Sequence, residues 1–317
     1  MTVTAYAPAS TGNVSLGYDI LGLALAPVSG ELLGDRVSVI EETSVFELTN
    51  TGRFAHKLPE DPKENIVYDC FVGFKAELAE LGIDVRPVKM QLEKNLPIGS
   101  GLGSSASSIV AALAALNEFY GKPLNDDKLL RLMGKLEGQI SGSIHYDNVA
   151  PCYLGGLQLM VESEQCISSS LPVFDEWYWT ICYSGASVST AAARKILPQE
   201  FSIKTTIEFG RQLALFVDAL HKGDRVLAAS VMTDVIAEPY RKSLLTNFDN
   251  ARAYAESEGS LAFGISGSGP TVFAVSDSAE TAEKIKLWLE QNYIQNENGF
   301  AHVCKIDTHG TKVSEDV

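Results

Sequence analysis

The chain has 317 residues, a formal net charge of −15, 45% hydrophobic residues and 21% charged residues. This length allows two domains of ordinary size, and the composition excludes a chain that stays disordered for lack of a core. The acidic balance argues against nucleic acids and anionic membranes as partners, because both attract basic surfaces.

Two further features bear on the compartment. Residues 1–10 lack the basic flank and apolar stretch of a secretory signal, and the longest apolar run, 109–116, is too short to span a bilayer. The five cysteines are scattered, without the paired spacing of a metal site or a disulfide framework. We therefore expect a cytoplasmic protein with reduced thiols.

In chain order, the first half is predicted to contain short strands and three longer helices. Gly121 and Pro123 form a helix stop signal, and Asn125 followed by two aspartates is typical of a helix N-terminus. Strands are expected at 3–7, 37–42 and 88–93, and helices at 65–81, 106–120 and 125–141.

The second half continues to mix strands with helices, which indicates an α/β or α+β protein. The change of pattern beyond Pro151 predicts a division between two domains near residues 165–175. Strands are expected at 177–183, 261–264, 271–275 and 302–307, and helices at 190–197, 207–221, 224–237 and 279–293.

The segment 97–105, PIGSGLGSS, is the most informative part of the sequence. Its alternating glycines let the backbone approach a ligand, and the helix after them adds unpaired N–H groups and a positive dipole end. This pattern predicts a polyphosphate site; the alternative is a flexible connection. A dinucleotide fingerprint would need glycine at Ser104, and a Walker A loop would need lysine after Gly103.

A carboxylate, Glu137, lies on the apolar face that Leu130, Met133 and Ile140 form on the helix at 125–141. Such a carboxylate is costly unless it is paired or binds a metal. Mg²⁺ bridging ATP phosphates is one interpretation. A carboxylate at the margin of the apolar stripe, paired with lysine or reaching solvent, is the other, and both stay open.

A second glycine-rich loop, GISGSGP at 264–270, connects two predicted strands. Its glycines indicate a tight turn or a close backbone approach. It is not the nucleophile elbow of a serine hydrolase, which would need glycine at Ser268 and a helix after the loop.

Together these loops resemble the motifs of the GHMP kinases, a family of ATP-dependent small-molecule kinases. PIGSGLGSSA at 97–106 is similar to their central phosphate-loop motif, and 264–270 is similar to their third motif. AYAPAS at 5–10, with Asn13, Gly17 and Asp19, resembles their N-terminal motif. The segments 141–151 and 234–241 are similar to the homoserine kinase branch of the family.

The resemblance implies an α+β two-domain GHMP kinase fold with the active site between the domains. Residues 1–168 would form the ATP-binding domain, similar to the second domain of ribosomal protein S5, and residues 169–317 a ferredoxin-like domain. It also implies ATP and Mg²⁺, L-homoserine as the phosphoryl acceptor, and a step in threonine biosynthesis. A homodimer and inhibition by threonine are further expectations from the family.

The resemblance also implies roles for individual residues. Lys94 is expected near the nucleotide or, more simply, at the surface. The implied catalytic residues are Asp147, Asn148, Glu137 and Thr190, and the implied metal ligands are Glu137 with Ser104 or Ser105. The implied acceptor-binding residues are Asn13, Asp19, His145, Arg194 and Arg241. The implied ATP-binding residues are Asn65, Pro97, Ile98, Gly99, Ser100, Gly101, Leu102, Gly103, Ser104 and Ser105.

These residue types suit the implied substrate. Acidic and amide groups suit its ammonium, and the planar fork of arginine suits its carboxylate. Arg194 follows Thr190 by four residues and so shares a helical face with it. Whether Asp147 is a general base, and whether His145 moves a proton or is structural, stays open. Alternatives are another GHMP kinase and a non-catalytic ATP-responsive binding protein.

Overall fold

The computed structural model describes residues 2–316, which contain twelve strands and ten α-helices. Met1 and Val317, the outer limits of the two predicted domains, lie outside the described residues. The strands are β1 (Thr2–Thr11), β2 (Leu21–Pro27), β3 (Gly34–Glu42), β4 (Glu47–Thr51), β5 (Val88–Glu93), β6 (Leu157–Met160), β7 (Ser168–Leu171), β8 (Tyr178–Tyr183), β9 (Ala262–Ile265), β10 (Val272–Ser276), β11 (Phe300–Ile306) and β12 (Lys312–Asp316). The helices are α1 (Ile66–Glu80), α2 (Ser104–Phe119), α3 (Asp126–Ser141), α4 (Val149–Leu154), α5 (Thr190–Lys195), α6 (Ile203–Lys222), α7 (Arg225–Ser230), α8 (Glu238–Arg241), α9 (Phe248–Ser257) and α10 (Ala279–Asn292).

The strands follow one hydrogen-bonded path in the order β4-β5-β3-β1-β2-β11-β8-β10-β9, and the hairpin β6–β7 joins it at β2. β1 connects the two halves of the path, because its first part pairs with β3 and β12 while its last three residues pair with β2. Strand β12 therefore returns to the half of the path that contains β3. The predicted division after residue 168 falls at the start of β7 and stays a prediction.

Helix α2 lies at the centre of the hydrophobic core of the N-terminal half of the chain. It packs against β1, β3, α1 and α3, and all of its residues from 106 to 117 are buried. A helix that is apolar on every side must be enclosed, and its many alanines allow neighbours to approach closely. This enclosure fixes the direction of α2, and its N-terminus lies at the glycine-rich loop.

Most predicted elements are present within a few residues of their expected ends, but the helix predicted at 224–237 is wrong. α7 ends at Ser230, and the next helix begins only at Glu238. The Asp234 side chain accepts hydrogen bonds from the backbone N–H groups of residues 236, 237 and 238. These bonds hold residues 234–238 in a turn that leads into α8 at Glu238, so the segment does not continue α7.

The predicted start of α6 was four residues late, because Ser202 caps the helix by accepting a hydrogen bond from Thr205 N at 3.1 Å. Five strands, β2, β4, β6, β7 and β12, were not predicted. No helix within residues 2–316 is long and apolar enough to cross a membrane. All five cysteines are unpaired, and four of them are buried.

Candidate active site

The loop between β5 and α2 presents backbone groups to a cavity of about 630 Å³. Gly99, Gly101 and Gly103 have φ of 67°, 82° and 63°, in the left-handed region that favours glycine. Gly103 is the N-cap of α2 and provides no side-chain cap. Unpaired N–H groups at a helix start are the groups that bind phosphate. Of the nine loop residues predicted to bind ATP, all but Pro97 and Leu102 line the cavity.

The second glycine-rich loop packs directly on the first. The Ser266 hydroxyl donates to Gly101 O at 2.6 Å, and Thr271 N donates to Ser100 O at 3.1 Å. A Cβ atom at position 101 would lie 2.2 Å from Ser266 O, so only glycine fits there. The second loop is therefore part of the cavity wall and is more than a tight turn between strands.

Part of the lining of the cavity is apolar. Ile98 and Ile140 are 45% and 49% exposed, which is unusual for large aliphatic side chains beside a polar loop. A cavity lined both by phosphate donors and by aliphatic side chains suits a nucleotide. The aliphatic side chains are contributed by Leu58, Pro59, Ile66, Ile98 and Ile140.

Asn65 also lines this cavity, but both ends of its amide contact the protein. Its Oδ1 caps α1 by accepting from Val67 N at 3.0 Å, and its Nδ2 donates to Asn50 Oδ1 at 3.3 Å. The structure therefore gives Asn65 a capping role at the wall. Direct contact with a nucleotide stays a prediction.

Glu137 faces the cavity from α3 and is only 6% exposed. Its Oε1 accepts a hydrogen bond from the Ser105 hydroxyl at 2.7 Å. Burial raises the pKa of Glu137 above its ordinary value, and the hydrogen bond from Ser105 opposes that rise. The Ser104 hydroxyl instead donates to Leu96 O at 3.1 Å. Ser105, and not Ser104, therefore has its hydroxyl beside the carboxylate.

The chemistry of these donors fits Mg²⁺. A carboxylate and a hydroxyl are oxygen ligands, which this ion prefers, and it is often held by only one or two protein carboxylates beside phosphate oxygens. Within residues 2–316, no group of three or more His, Cys, Asp or Glu side chains is arranged to hold a metal. An ion here would therefore depend on phosphate oxygens together with Glu137 and Ser105.

Lys94 is 2% exposed, so the expected surface position is wrong. Its Nζ donates to a carboxylate oxygen of Asp35, to Ser104 O at 2.7 Å and to Ser108 Oγ at 2.8 Å. It reaches the edge of the cavity, but its ammonium group contacts the protein on three sides.

His145 and Asp147 form a buried pair between α3 and α4. His145 Nδ1 lies 2.7 Å from Asp147 Oδ1, and both residues are less than 7% exposed. Burial lowers the pKa of His145, but the hydrogen-bonded carboxylate more than offsets this, so that pKa lies above its ordinary value of 6.5. The other ring nitrogen, Nε2, has no hydrogen-bond partner within the described part of the chain.

The N-terminal motif approaches this pair closely. Asn148 Oδ1 accepts a hydrogen bond from the Ser10 hydroxyl at 2.9 Å. A Cβ atom at Gly12 would lie 2.3 Å from Asp147 Oδ2 and 2.7 Å from Asn148 Nδ2. The absence of a side chain at position 12 therefore lets the first motif and the loop at 142–148 share one pocket.

That pocket, the acceptor pocket, has a volume of about 40 Å³ and is lined by charged side chains. Arg194 Nη1 and Nη2 donate to the two carboxylate oxygens of Asp19 at 2.9 and 2.8 Å. Asn13 also lines the pocket, and its Oδ1 accepts from Ser15 N at 3.3 Å. Asp19 and Arg194, predicted to bind opposite ends of one substrate, thus contact each other.

The second predicted arginine, Arg241, is 4% exposed. Its Nε donates to Ala193 O at 3.1 Å and its Nη1 to Gly267 O at 2.9 Å. The Tyr18 ring lies under both guanidinium groups, 5.1 Å from that of Arg241 and 5.8 Å from that of Arg194. Tyr18 therefore holds the two arginines on one wall of the acceptor pocket.

The acceptor pocket and the larger cavity meet. Thr190 Oγ1 lies 3.5 Å from Ser268 Oγ at their shared wall. Among the predicted catalytic residues, Glu137 lines only the larger cavity and Asp147 only the acceptor pocket. A phosphate on the glycine-rich loop and a small acceptor would therefore be neighbours. The residues that line both spaces are His145, Asn148, Thr190, Gly267 and Ser268.

Tyr18, Ser268 and Asp35 are among the residues of the site that were not predicted. Tyr18 directly precedes Asp19 within the first motif, and Ser268 lies within the second glycine-rich loop, so their neighbours in sequence could have indicated them. Asp35 has no such signal, because its partner Lys94 is 59 residues away.

Comparison with known proteins covers both halves of the chain. Residues 65–156 match the family model for the GHMP kinases N terminal domain, and residues 216–295 match that for the GHMP kinases C terminal domain. A crystal structure of homoserine kinase from Cytophaga hutchinsonii is 33% identical, with 99% of this chain and 97% of that chain covered and a TM-score of 0.88.

Two more distant structures share the fold. A putative homoserine kinase from Listeria monocytogenes is 20% identical, with 99% of this chain and 100% of that chain covered and a TM-score of 0.72. The Methanococcus jannaschii mevalonate kinase is 17% identical, with 96% and 98% covered and a TM-score of 0.69. The expected two-domain α+β GHMP kinase fold is confirmed.

Proposed function

Since this chain belongs to the GHMP kinase family, whose members are small-molecule kinases, we propose that it transfers the γ-phosphoryl group of ATP to the hydroxyl of L-homoserine. The products would be ADP and O-phospho-L-homoserine, on the route to threonine. The observation that carries the proposal is the acceptor pocket, where the carboxylate of Asp19 lies beside Arg194 and Arg241.

A pocket with both charges matches a zwitterion. The ammonium of an amino acid would bind Asp19 and Asn13, and its carboxylate would bind the two arginines, whose planar forks donate pairs of hydrogen bonds. A neutral sugar would bring no charge to replace either member of the Asp19–Arg194 pair, and a mevalonate-type acid would replace Asp19 without supplying it an ammonium. The pocket therefore favours an amino acid among the substrates of the family.

On the donor side, the residues act by position and charge. The amides of the loop at 99–105 and the start of α2 would hold the β- and γ-phosphates, and the aliphatic wall would cover the base. Glu137 and Ser105 would hold Mg²⁺. When bound, this ion neutralises charge on the phosphates.

At the junction, Asn148, Thr190 and His145 would orient the hydroxyl of the acceptor; all three line both spaces. Asp147 holds the His145 ring through Nδ1, which leaves Nε2 available for the hydroxyl proton. Phosphoryl transfer through a loose transition state makes little demand on the nucleophile, so the proton can leave late. His145 would then accept a proton after most of the transfer, and Asp147 would orient the ring.

The proposal includes the cellular setting. Threonine, which resembles the acceptor, would compete for the acceptor pocket, and a cytoplasmic homodimer is the expected form of the enzyme. Inhibition of turnover by L-threonine and sedimentation of the purified chain would test these two points separately.

The first experiment measures ADP release with Mg-ATP and a panel of acceptors: L-homoserine, D-homoserine, L-threonine, L-serine, galactose and mevalonate. Turnover strongest on L-homoserine is expected. Stronger turnover on another acceptor would refute L-homoserine as the substrate, and the assignment of kinase activity would stand. ATP binding without turnover on any acceptor would refute the enzymatic proposal.

A further inference from the structure

A buried ion pair between β3 and the end of β5 contacts both ends of the glycine-rich loop. The side chains of Asp35 and Lys94 are 0% and 3% exposed. Asp35 Oδ1 accepts from Asn95 N at 2.8 Å and from Leu96 N at 3.0 Å, immediately before the loop. Lys94 Nζ donates to the carbonyl of Ser104, the first residue of α2, at the other end of the loop.

The hydrogen-bonding capacity of the pair is fully used. The three N–H bonds of the ammonium point to Asp35 Oδ2, Ser104 O and Ser108 Oγ. The Ser108 hydroxyl in turn donates to Asp35 Oδ2 at 2.6 Å. Lys94 therefore has no free donor for a phosphate oxygen, which distinguishes it from a lysine that binds phosphate directly.

A pair of this kind is not explained well by stability alone. Replacing a buried ion pair with apolar residues is often neutral or stabilising, because both charges lose their hydration. What the pair does provide is geometry: it fixes the entry and the exit of a loop whose glycines would otherwise be free to change conformation.

We propose that Asp35 and Lys94 are positioning residues that hold the glycine-rich loop in its phosphate-binding conformation. The inference rests on the proposed function, because it takes ATP as the ligand of this loop. The two residues act through the backbone of the loop and touch no reacting atom.

The test compares Mg-ADP binding by calorimetry, and ATP and L-homoserine kinetics, in the wild-type chain and in Lys94→Met. Loss of loop geometry is expected to weaken Mg-ADP binding and raise the ATP KM by about tenfold or more, since small misplacements in an active site are costly. The L-homoserine KM should change by less than about twofold.

The matched control is Lys305→Met. Lys305 also donates to two carbonyls, those of Asp175 and Trp177, but it lines neither the larger cavity nor the acceptor pocket. Its replacement should lower the melting temperature without changing Mg-ADP affinity. Unchanged Mg-ADP affinity in Lys94→Met would reduce Lys94 to the same structural role and overturn the inference.

A double variant, Asp35→Asn with Lys94→Met, leaves no buried charge unpaired and carries the test if Lys94→Met does not fold. The amide oxygen at position 35 would still accept from Asn95 and Leu96, while the Ser104 carbonyl would lose the Lys94 ammonium and keep the Ser108 hydroxyl as its side-chain donor, at 3.3 Å. We expect this folded double variant to bind Mg-ADP more weakly than the wild type. Affinity equal to the wild type would contradict the positioning role.

The two proposals fail differently. A wild-type chain that binds no Mg-ADP would overturn the proposed function together with this inference. A wild-type chain that binds Mg-ADP and turns over L-homoserine, beside variants of unchanged affinity, would overturn only the role of Asp35 and Lys94.

Discussion

The cavity proposed to bind the nucleotide is lined mainly by backbone amides and aliphatic side chains, with Glu137 and Ser105 among them; the pocket proposed to bind the acceptor is lined by charged side chains. The first space measures about 630 Å³ and the second about 40 Å³. Backbone amides cannot pair with one another across the loop, so the larger cavity stays open. Charged side chains of opposite sign can pair with one another, and Asp19 and Arg194 form such a pair in the acceptor pocket.

The two sides also differ in how far their ion pairs are exposed to water. The pair of Asp35 and Lys94 is almost fully buried, whereas the side chains of Asp19 and Arg194 are 35% and 25% exposed. A pair that water reaches contributes about 1 kcal/mol or less, so a zwitterion can replace each partner at low cost. The buried pair has no such replacement. We therefore propose that the buried pair holds the nucleotide side in one conformation, whereas the acceptor side would exchange its internal pair for the charges of the substrate.

The largest effect is expected from Glu137→Gln, which tests whether the nucleotide side depends on one carboxylate. Loss of the metal ligand should lower kcat by roughly 100-fold or more at saturating Mg²⁺, with little change in the L-homoserine KM. Glu118→Gln, a matched change on α2 at a residue that lines neither space, should have no such effect. Turnover like that of the wild type would refute the metal role.

Pair exchange can be tested with two analogues of the acceptor, each lacking one charge. γ-Hydroxybutyrate lacks the ammonium, and L-homoserine amide lacks the carboxylate; each should lower kcat/KM by about 100-fold, because one member of the Asp19–Arg194 pair is left unmatched. Asp19→Asn should reduce the penalty for γ-hydroxybutyrate and not that for the amide. Equal penalties in this variant would contradict the exchange.

Arg241→Leu should raise the L-homoserine KM by at least about tenfold, equivalent to about 1.4 kcal/mol, with a smaller effect on the ATP KM. The protein should also lose stability, because the carbonyls of Ala193 and Gly267 lose their donors. Arg225→Leu, which removes an arginine from an exposed ion pair, is the control for loss of charge. An unchanged L-homoserine KM would remove Arg241 from the carboxylate site.

The smallest effect concerns protonation at the junction. An NMR titration should give His145 a pKa above 6.5, and Asp147→Asn should bring it below 6.5, because burial alone lowers it. Because the pKa of His145 is raised in the folded state, its protonation stabilises the protein at pH values below the unfolded-state pKa. This stabilisation is lost as the pH rises through the folded-state pKa. If the pKa of His145 does not change in Asp147→Asn, Asp147 is not the cause of its raised value.

Sequence reasoning succeeded where signals are local. The glycines at 99, 101 and 103 and the helix after them predicted a loop with the geometry of an anion site, and Asn125 was correctly identified as the N-cap of α3. Caps, turns and helical faces involve residues within a few positions of each other. The prediction failed at 231–237, where Asp234 binds the backbone of a turn before α8, and it missed β12, whose partner β1 is at the other end of the chain.

By itself, then, the sequence determined where the glycine-rich loop lies and which helical face carries Glu137, because these depend on local backbone preferences. Only the tertiary structure decided that Lys94 is buried against Asp35, that Tyr18 lies beneath two arginines, and that Asp19 pairs with Arg194. These contacts join residues from 59 to 223 positions apart. Such distances are closed by the packing of whole sheets and helices, which no local pattern of residues encodes.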